Sequence, residues 1–249
     1  MDVEKSGSTY VSQFLRDFLD DDEVRFRKHA PMEDRPPEGR LHVLSVRDPF
    51  DTYLSLYSYG CQGKGGLSGT LRDAGLGGLY DGSSAGFSRW LEVVLDPQYS
   101  SALNPPTYHR SGVAPVAGLL SFRVARLSTV RPMRWISAVR SAEELVTEYA
   151  ARVRADVVVR NESLIDDLED LVRRPELRWR PSREVALEAL SRTRRVNTSR
   201  RLDRDPGFSV PDDARRRVLD REPLLARYFR YDEGHRTSTN EATAARSSA

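Results

Sequence analysis

Two clusters of residues near the N-terminus have the types and spacing for phosphate chemistry. The first is Lys5-Ser6-Gly7-Ser8-Thr9, a small-residue turn that carries one lysine. An amphipathic helix follows it at once, because Tyr10, Val11, Phe14, Leu15, Phe18 and Leu19 recur at spacings of three and four. A turn of this kind aims several backbone N–H groups and the positive end of a helix dipole at one spot, where a phosphate binds. The lysine adds a mobile point charge. The loop is not a Walker A sequence, because its lysine precedes the glycine instead of following it.

The second cluster centres on Arg47 and Ser55. Residues 41–46 read as a short buried strand, Arg47-Asp48-Pro49 breaks it, and residues 51–59 read as a helix ended by Gly60. An arginine at the C-terminal end of a strand sits where open α/β sheets bind ligands. Ser55, eight residues further on, falls in the first turns of the next helix, so the two side chains can converge on a second phosphate.

On these residues the chain resembles the sulfotransferases that use 3′-phosphoadenosine 5′-phosphosulfate (PAPS). Their signatures are a Lys-Ser/Thr-Gly-Thr/Ser-Thr loop and an Arg-Asp-Pro…Ser-x-Tyr segment, matched by Lys5-Ser6-Gly7-Ser8-Thr9 and by Arg47-Asp48-Pro49…Ser55-Leu56-Tyr57. The resemblance runs from about residue 3 to about residue 232 and is thin from Cys61 to Arg140. Relatives have a full strand before the loop, whereas only Met1 to Glu4 precede Lys5 in this sequence.

The resemblance implies a role for each residue. Ser6, Gly7, Ser8 and Thr9 would hold the 5′-phosphosulfate, with Lys5 both binding it and stabilising the leaving oxygen. Arg47 and Ser55 would hold the 3′-phosphate, and Tyr10 aligns with an aromatic that stacks on adenine in some relatives. A third patch, Arg195-Val196-Asn197-Thr198-Ser199-Arg200-Arg201, resembles the C-terminal Asn-Thr/Ser-Ser segment of carbohydrate-type members, which adds Asn197, Ser199, Arg200 and Arg201 to the nucleotide site. Arginine suits phosphate because its planar fork binds two oxygens at once. The bland alternative for this patch is a solvated basic loop.

Sulfuryl transfer also needs a base for the acceptor. His29 ends a predicted strand beside a Pro-containing turn, and histidine titrates near neutrality. Its His29-Ala30-Pro31 context matches the His-x-Pro of family members. The alternative is an ordinary surface histidine. His42 reads as structural, and His109 and His235 lie in loop and tail. Arg27, Trp90, Tyr108 and the glycine-rich segment 61–84 are candidate acceptor contacts, weighed against plain packing for the two aromatics and a charged strand edge for Arg27. Glu162, in Asn161-Glu162-Ser163-Leu164, resembles part of a family strand end, and no nucleotide contact follows from it.

Composition limits the rest. The chain has 249 residues, 39% hydrophobic and 31% charged, with a net charge of +2. That length suits one large α/β domain, and so small a net charge makes no case for nucleic acid or a membrane surface as partner. The lone cysteine, Cys61, cannot form an intramolecular disulfide. No apolar run approaches a membrane span and no signal-peptide pattern stands at the N-terminus, so the expectation is a bacterial cytoplasmic enzyme. The expected partner is a carbohydrate or small-molecule acceptor. PAPS is the expected co-substrate, and no metal is expected, since the four histidines and Cys61 lack ligand spacing. Oligomeric state is not legible.

The elements that must position these residues alternate in type. Residues 24–27, 41–46, 133–139 and 156–159 read as strands. Residues 87–95, 142–154, 182–191 and 211–229 read as helices, the last broken near Pro223, and a further helix follows Leu164. Residues 118–127 form a core element, read as helix over strand. Residues 61–84, with glycine at 63, 65, 66, 69, 75, 77, 78 and 82, read as a lid or disordered loop. The alternation implies an α/β fold with a mostly parallel central sheet flanked by helices, and the resemblance implies the P-loop, nucleotide-kinase-like sulfotransferase version of it. The expected organisation is one domain over residues 1–233 and a disordered tail over 234–249. Two other functions fit the same residues. A nucleotide kinase of related fold would need a metal in assay. A non-catalytic relative would bind an anionic glycan or nucleotide and be indifferent to loss of His29.

Overall fold

Val43-Leu44-Ser45-Val46 and Val157-Val158-Val159-Arg160 are β-branched runs too short and too apolar to stand alone, and they pair with each other in parallel. These strands, β1 (Val43–Val46) and β2 (Val157–Arg160), run in register from Val43 opposite Val157 to Val46 opposite Arg160. The computed structural model describes residues 5–20, 32, 41–192 and 207–233. Among them the architecture is mixed α/β and mostly helical, with this two-stranded sheet at its centre.

Alternation along the strands divides the core. Leu44, Val46 and Val158 face the larger cluster, built on Tyr53, Tyr57, Phe87, Trp90 and Phe122. Val43, Val157 and Val159 face the smaller one, with Val11, Phe14, Leu168, Leu171 and Trp179. Helix α1 (Ser8–Phe18) covers the second face, as its apolar spacing requires. Helix α2 (Pro49–Cys61) leaves β1 on the other side, so the sheet lies between the two helices that carry the phosphate-binding sequences.

The remaining helices are α3 (Gly66–Asp73), α4 (Ser84–Leu95), α5 (Val113–Val116), α6 (Leu119–Ser128), α7 (Pro132–Ile136), α8 (Ala142–Arg152), α9 (Leu164–Val172), α10 (Arg183–Arg192) and α11 (Ala214–Arg221). A π-turn over Leu224–Tyr228 ends the order, where Pro223 breaks the helical run.

Several expectations need correction. The mostly parallel sheet is, among the described residues, a pair of strands. Residues 133–139 start as helix α7, because Pro132 pre-sets the first helical φ and Trp135 and Ile136 turn into the core. The glycine-rich segment 61–84 is not a disordered loop, since it holds helix α3 and a 3₁₀ turn over Gly77–Leu79. Leu67 and Leu71, four apart, bury one face of α3, and Tyr80 stacks on Tyr57 with ring centroids 5.8 Å apart. Gly60 does not end α2, which runs on to Cys61. Its missing side chain is instead where the Tyr80 ring packs, since a Cβ there would lie 2.1 Å from the ring. The strand expected at 24–27 and the tail expected at 234–249 lie outside the described residues, as does residue 32's immediate surroundings. No described helix is long and apolar enough to cross a membrane.

Candidate functional site

The loop and the arginine predicted to act together do meet. Lys5 and Gly7 both take left-handed backbone angles, with φ of 66° and 81°. Between them Ser6 is buried, its hydroxyl 2.8 Å from that of Ser45 on β1. That contact ties the loop to the C-terminal half of the strand. It also ties the Ser6 side chain to the scaffold. Gly7 then caps α1, its carbonyl accepting from Tyr10 N (2.9 Å) and Val11 N (3.2 Å). No side chain caps this helix. Ser8 is buried and Thr9 exposed at its first turn.

Gly7 is required twice over. Its φ is one that only glycine takes without strain, and a Cβ would come within 2.6 Å of Asn161 Nδ2. Asn161 follows β2, and that amide nitrogen is buried with no hydrogen-bond partner. Gly7→Ala should therefore lower stability by about 1–2 kcal/mol from the left-handed backbone alone, read as a lower urea midpoint at unchanged slope.

Arg47 follows β1 directly, and its side chain is only 10% exposed. Its Nη1 donates to the Lys5 carbonyl at 3.2 Å and its Nη2 to Asp51 Oδ2 at 3.3 Å. Its Nε is buried without a partner. The neighbouring Asp48, 1% exposed, is held differently. Its carboxylate caps α2 by accepting from Asp51 N at 2.9 Å and pairs with Arg215 of α11 at 2.5 Å. Its own N–H donates to Glu162 Oε1 at 2.8 Å, and Tyr231 Oη donates to Glu162 Oε2 at 3.0 Å. Burial, and after it the Glu162 charge, pushes the Tyr231 hydroxyl well above its ordinary range. The Arg160 guanidinium lies 5.2 Å from the Tyr231 ring centroid.

On α2, Asp51, Ser55 and Tyr59 lie four residues apart and so share a face. Arg47 reaches the first of them. The Lys5 ammonium sits 3.8 Å from the ring centroid of the third. Ser55 lies between, buried. Lys5, Arg47 and Ser55 thus gather on one side of α2.

Not every expected residue joins them. Tyr10 is half-buried and packs against Phe14, with centroids 6.4 Å apart, as part of the smaller core. Trp90 (0% exposed) and Tyr108 (1% exposed) are core residues, not acceptor surface, a correction that follows from their packing. Trp90 is enclosed by the rings of Tyr53, Tyr57, Tyr80 and Phe87, and Tyr108 donates its hydroxyl to Ala117 O at 2.9 Å. His29, Arg27, Asn197, Ser199, Arg200 and Arg201 lie outside the described residues. Sequence reasoning missed Asp51, Tyr59, Asn161 and Arg215 as neighbours of the site. Of these only Asp51 had a local signal, as the acid three residues after the Asp48 N-cap.

Among the described residues no group of three or more His, Cys, Asp or Glu could hold a metal ion. The arrangement brings two cationic side chains, Lys5 and Arg47, together beside the start of α1. The chain matches no known protein family, no curated protein and no solved structure.

Proposed function

We propose that this protein is a PAPS-dependent sulfotransferase that moves a sulfuryl group to a hydroxyl of a carbohydrate or small molecule. The observation that carries the reading is the hydrogen bond from Arg47 Nη1 to the Lys5 carbonyl, which joins two sequences 42 residues apart. A nucleotide with phosphates at both the 5′ and 3′ positions needs two anion contacts side by side. The residues fit such a ligand, because the buried Arg47 Nε and the buried Asn161 amide nitrogen beside Gly7 both lack an acceptor.

In this reading Lys5 stabilises charge on the bridging oxygen as it leaves, and the donors at the start of α1 hold the 5′-phosphate. Arg47 and Ser55 hold the 3′-phosphate. His29 takes the proton of the acceptor hydroxyl. The bound donor supplies an activated sulfuryl group, and the protein supplies position and charge.

Calorimetric titration with adenosine 3′,5′-bisphosphate, against 5′-AMP and ATP, tests the proposal. Binding should require the 3′-phosphate. Arg47→Ala should weaken it by at least about tenfold, since a hydrogen bond to a charged group is worth about 1.5–3 kcal/mol. Equal affinity for 5′-AMP would remove the reading, and a metal requirement for turnover would favour a kinase.

A further inference from the structure

Each strand of the sheet sends the residue just past its end to the loop. Arg47 follows β1 and donates to the Lys5 carbonyl at 3.2 Å. Asn161 follows β2, and its N–H donates to Val46 O at 2.9 Å, which sets it beside Arg47 at the C-terminal edge of the sheet. Open α/β sheets bind ligands at that edge. The two side chains flank the loop, Arg47 at Lys5 and Asn161 at Gly7, where a Cβ would lie 2.6 Å from Asn161 Nδ2.

The backbone beside Asn161 is anchored. The next residue, Glu162, accepts from the Asp48 N–H at 2.8 Å and from the Tyr231 hydroxyl at 3.0 Å. The amide is thus held against the loop, yet its nitrogen is buried with no hydrogen-bond partner. The Gly7 carbonyl is already taken by Tyr10 N and Val11 N. The other side chain at this point is Leu164, whose methyl lies 3.7 Å from the same Cβ position. An apolar side chain would fill the space at no polar cost, whereas an unpaired buried donor is a net loss to the fold. Arg47 Nε is a second donor of this kind, on a side chain only 10% exposed.

We propose that Asn161 is a further binding residue of this site, donating through Nδ2 to an oxygen of the 5′-phosphate group that the loop holds. The ligand then supplies the acceptor that the fold does not. The proposal rests on the loop being the 5′-phosphate site, as in the function proposed above.

The test compares wild type, Asn161→Leu and Asn161→Ala by calorimetric titration with adenosine 3′,5′-bisphosphate, adenosine 3′-monophosphate and inorganic pyrophosphate, and by urea unfolding without ligand. Leucine has nearly the shape of asparagine and no donor, so unligated Asn161→Leu should unfold at the wild-type urea midpoint or above it. Its affinity for the bisphosphate should fall about tenfold or more, the loss expected for a donor to a charged acceptor. Its affinity for the 3′-monophosphate should stay unchanged. Asn161→Ala, which cannot overfill the site, should show the same split between the two nucleotides. Weaker pyrophosphate binding by both variants, with no binding of either nucleotide by wild type, would keep the role of Asn161 and overturn the nucleotide reading. Unchanged bisphosphate affinity in both variants, or an equal loss on both nucleotides, would overturn the proposal. Wild type that binds none of the three ligands would overturn both.

Discussion

Lys5→Ala should cut turnover of PAPS by about 10²–10³-fold, the usual loss when one preorganised stabiliser of developing charge is removed. The argument is geometric. The Lys5 ammonium rests 3.8 Å from the Tyr59 ring centroid, and its backbone is held in the left-handed region beside the loop. The face of the ring attracts and orients the charge. The loop's other anchors, the Ser6–Ser45 contact and the Arg47 bond to the Lys5 carbonyl, do not use the lysine side chain. Alanine should therefore leave the fold intact and spare most of the affinity for adenosine 3′,5′-bisphosphate. The readout is kcat and KM for PAPS beside calorimetry of the product. His29→Ala is the companion measurement. Loss of a general base costs about 10²–10⁴-fold in rate and should leave nucleotide affinity alone. Wild-type turnover in either variant would remove that residue from the mechanism.

Glu222→Ala should destabilise the protein by about 3 kcal/mol or more, at about 1–3 kcal/mol for each buried donor left without an acceptor, a large part of the stability of an ordinary domain. Glu222 is fully buried between α11 and the π-turn. Its carboxylate accepts from the Tyr53 hydroxyl, from Leu120 N at 3.1 Å and from Ser121 N at 2.6 Å. It thus closes the N-terminal turn of α6 from across the core, where Gly118 leaves room because a Cβ would meet the carboxylate at 2.1 Å. Alanine would leave three donors buried without an acceptor. Urea unfolding should show a lower midpoint.

The same residue gives a pH dependence of definite sign. Burial raises the Glu222 carboxyl above its ordinary value, against the lowering effect of its hydrogen bonds. Between the ordinary carboxylate pKa of about 4.3 and the raised folded value, the unfolded chain has lost this proton and the folded chain keeps it. Stability therefore falls as pH rises through that window. In Glu222→Gln, which cannot ionise, this part of the fall should disappear from a series of urea midpoints taken across the window. An unchanged slope would assign the pH dependence to other groups.

Most of the helices were legible because their signals are local. The apolar spacing of Val11 and Phe14 marks the buried face of α1, Ser141 caps α8 through Glu144 N, and Pro223 breaks the last helical run. The two valine-rich strands were legible for the same reason. Residues 133–139 and 61–84 misled. In the first, a weak alternation was outweighed by Pro132 and by burial of Trp135. In the second, eight glycines obscured the spacing of Leu67 and Leu71, and only the Tyr57 and Trp90 rings show why Gly60 and Tyr80 belong together.

The sequence by itself determined which residues could bind phosphate, since Lys5 to Thr9 and Arg47 to Ser55 declare that chemistry by type and spacing. Tertiary structure decided what each of them does. It assigned the Ser6 hydroxyl to Ser45, gave Arg47 to Asp51 and not to Asp48, and brought Glu162, Arg215 and Tyr231 to the base of α2 from more than 100 residues away. A residue's type and its near neighbours set what it can do, but the partner it takes depends on strand pairing and burial between distant segments. Periodicity and capping do not record those pairings, because they report only on neighbours within a few turns of the same chain.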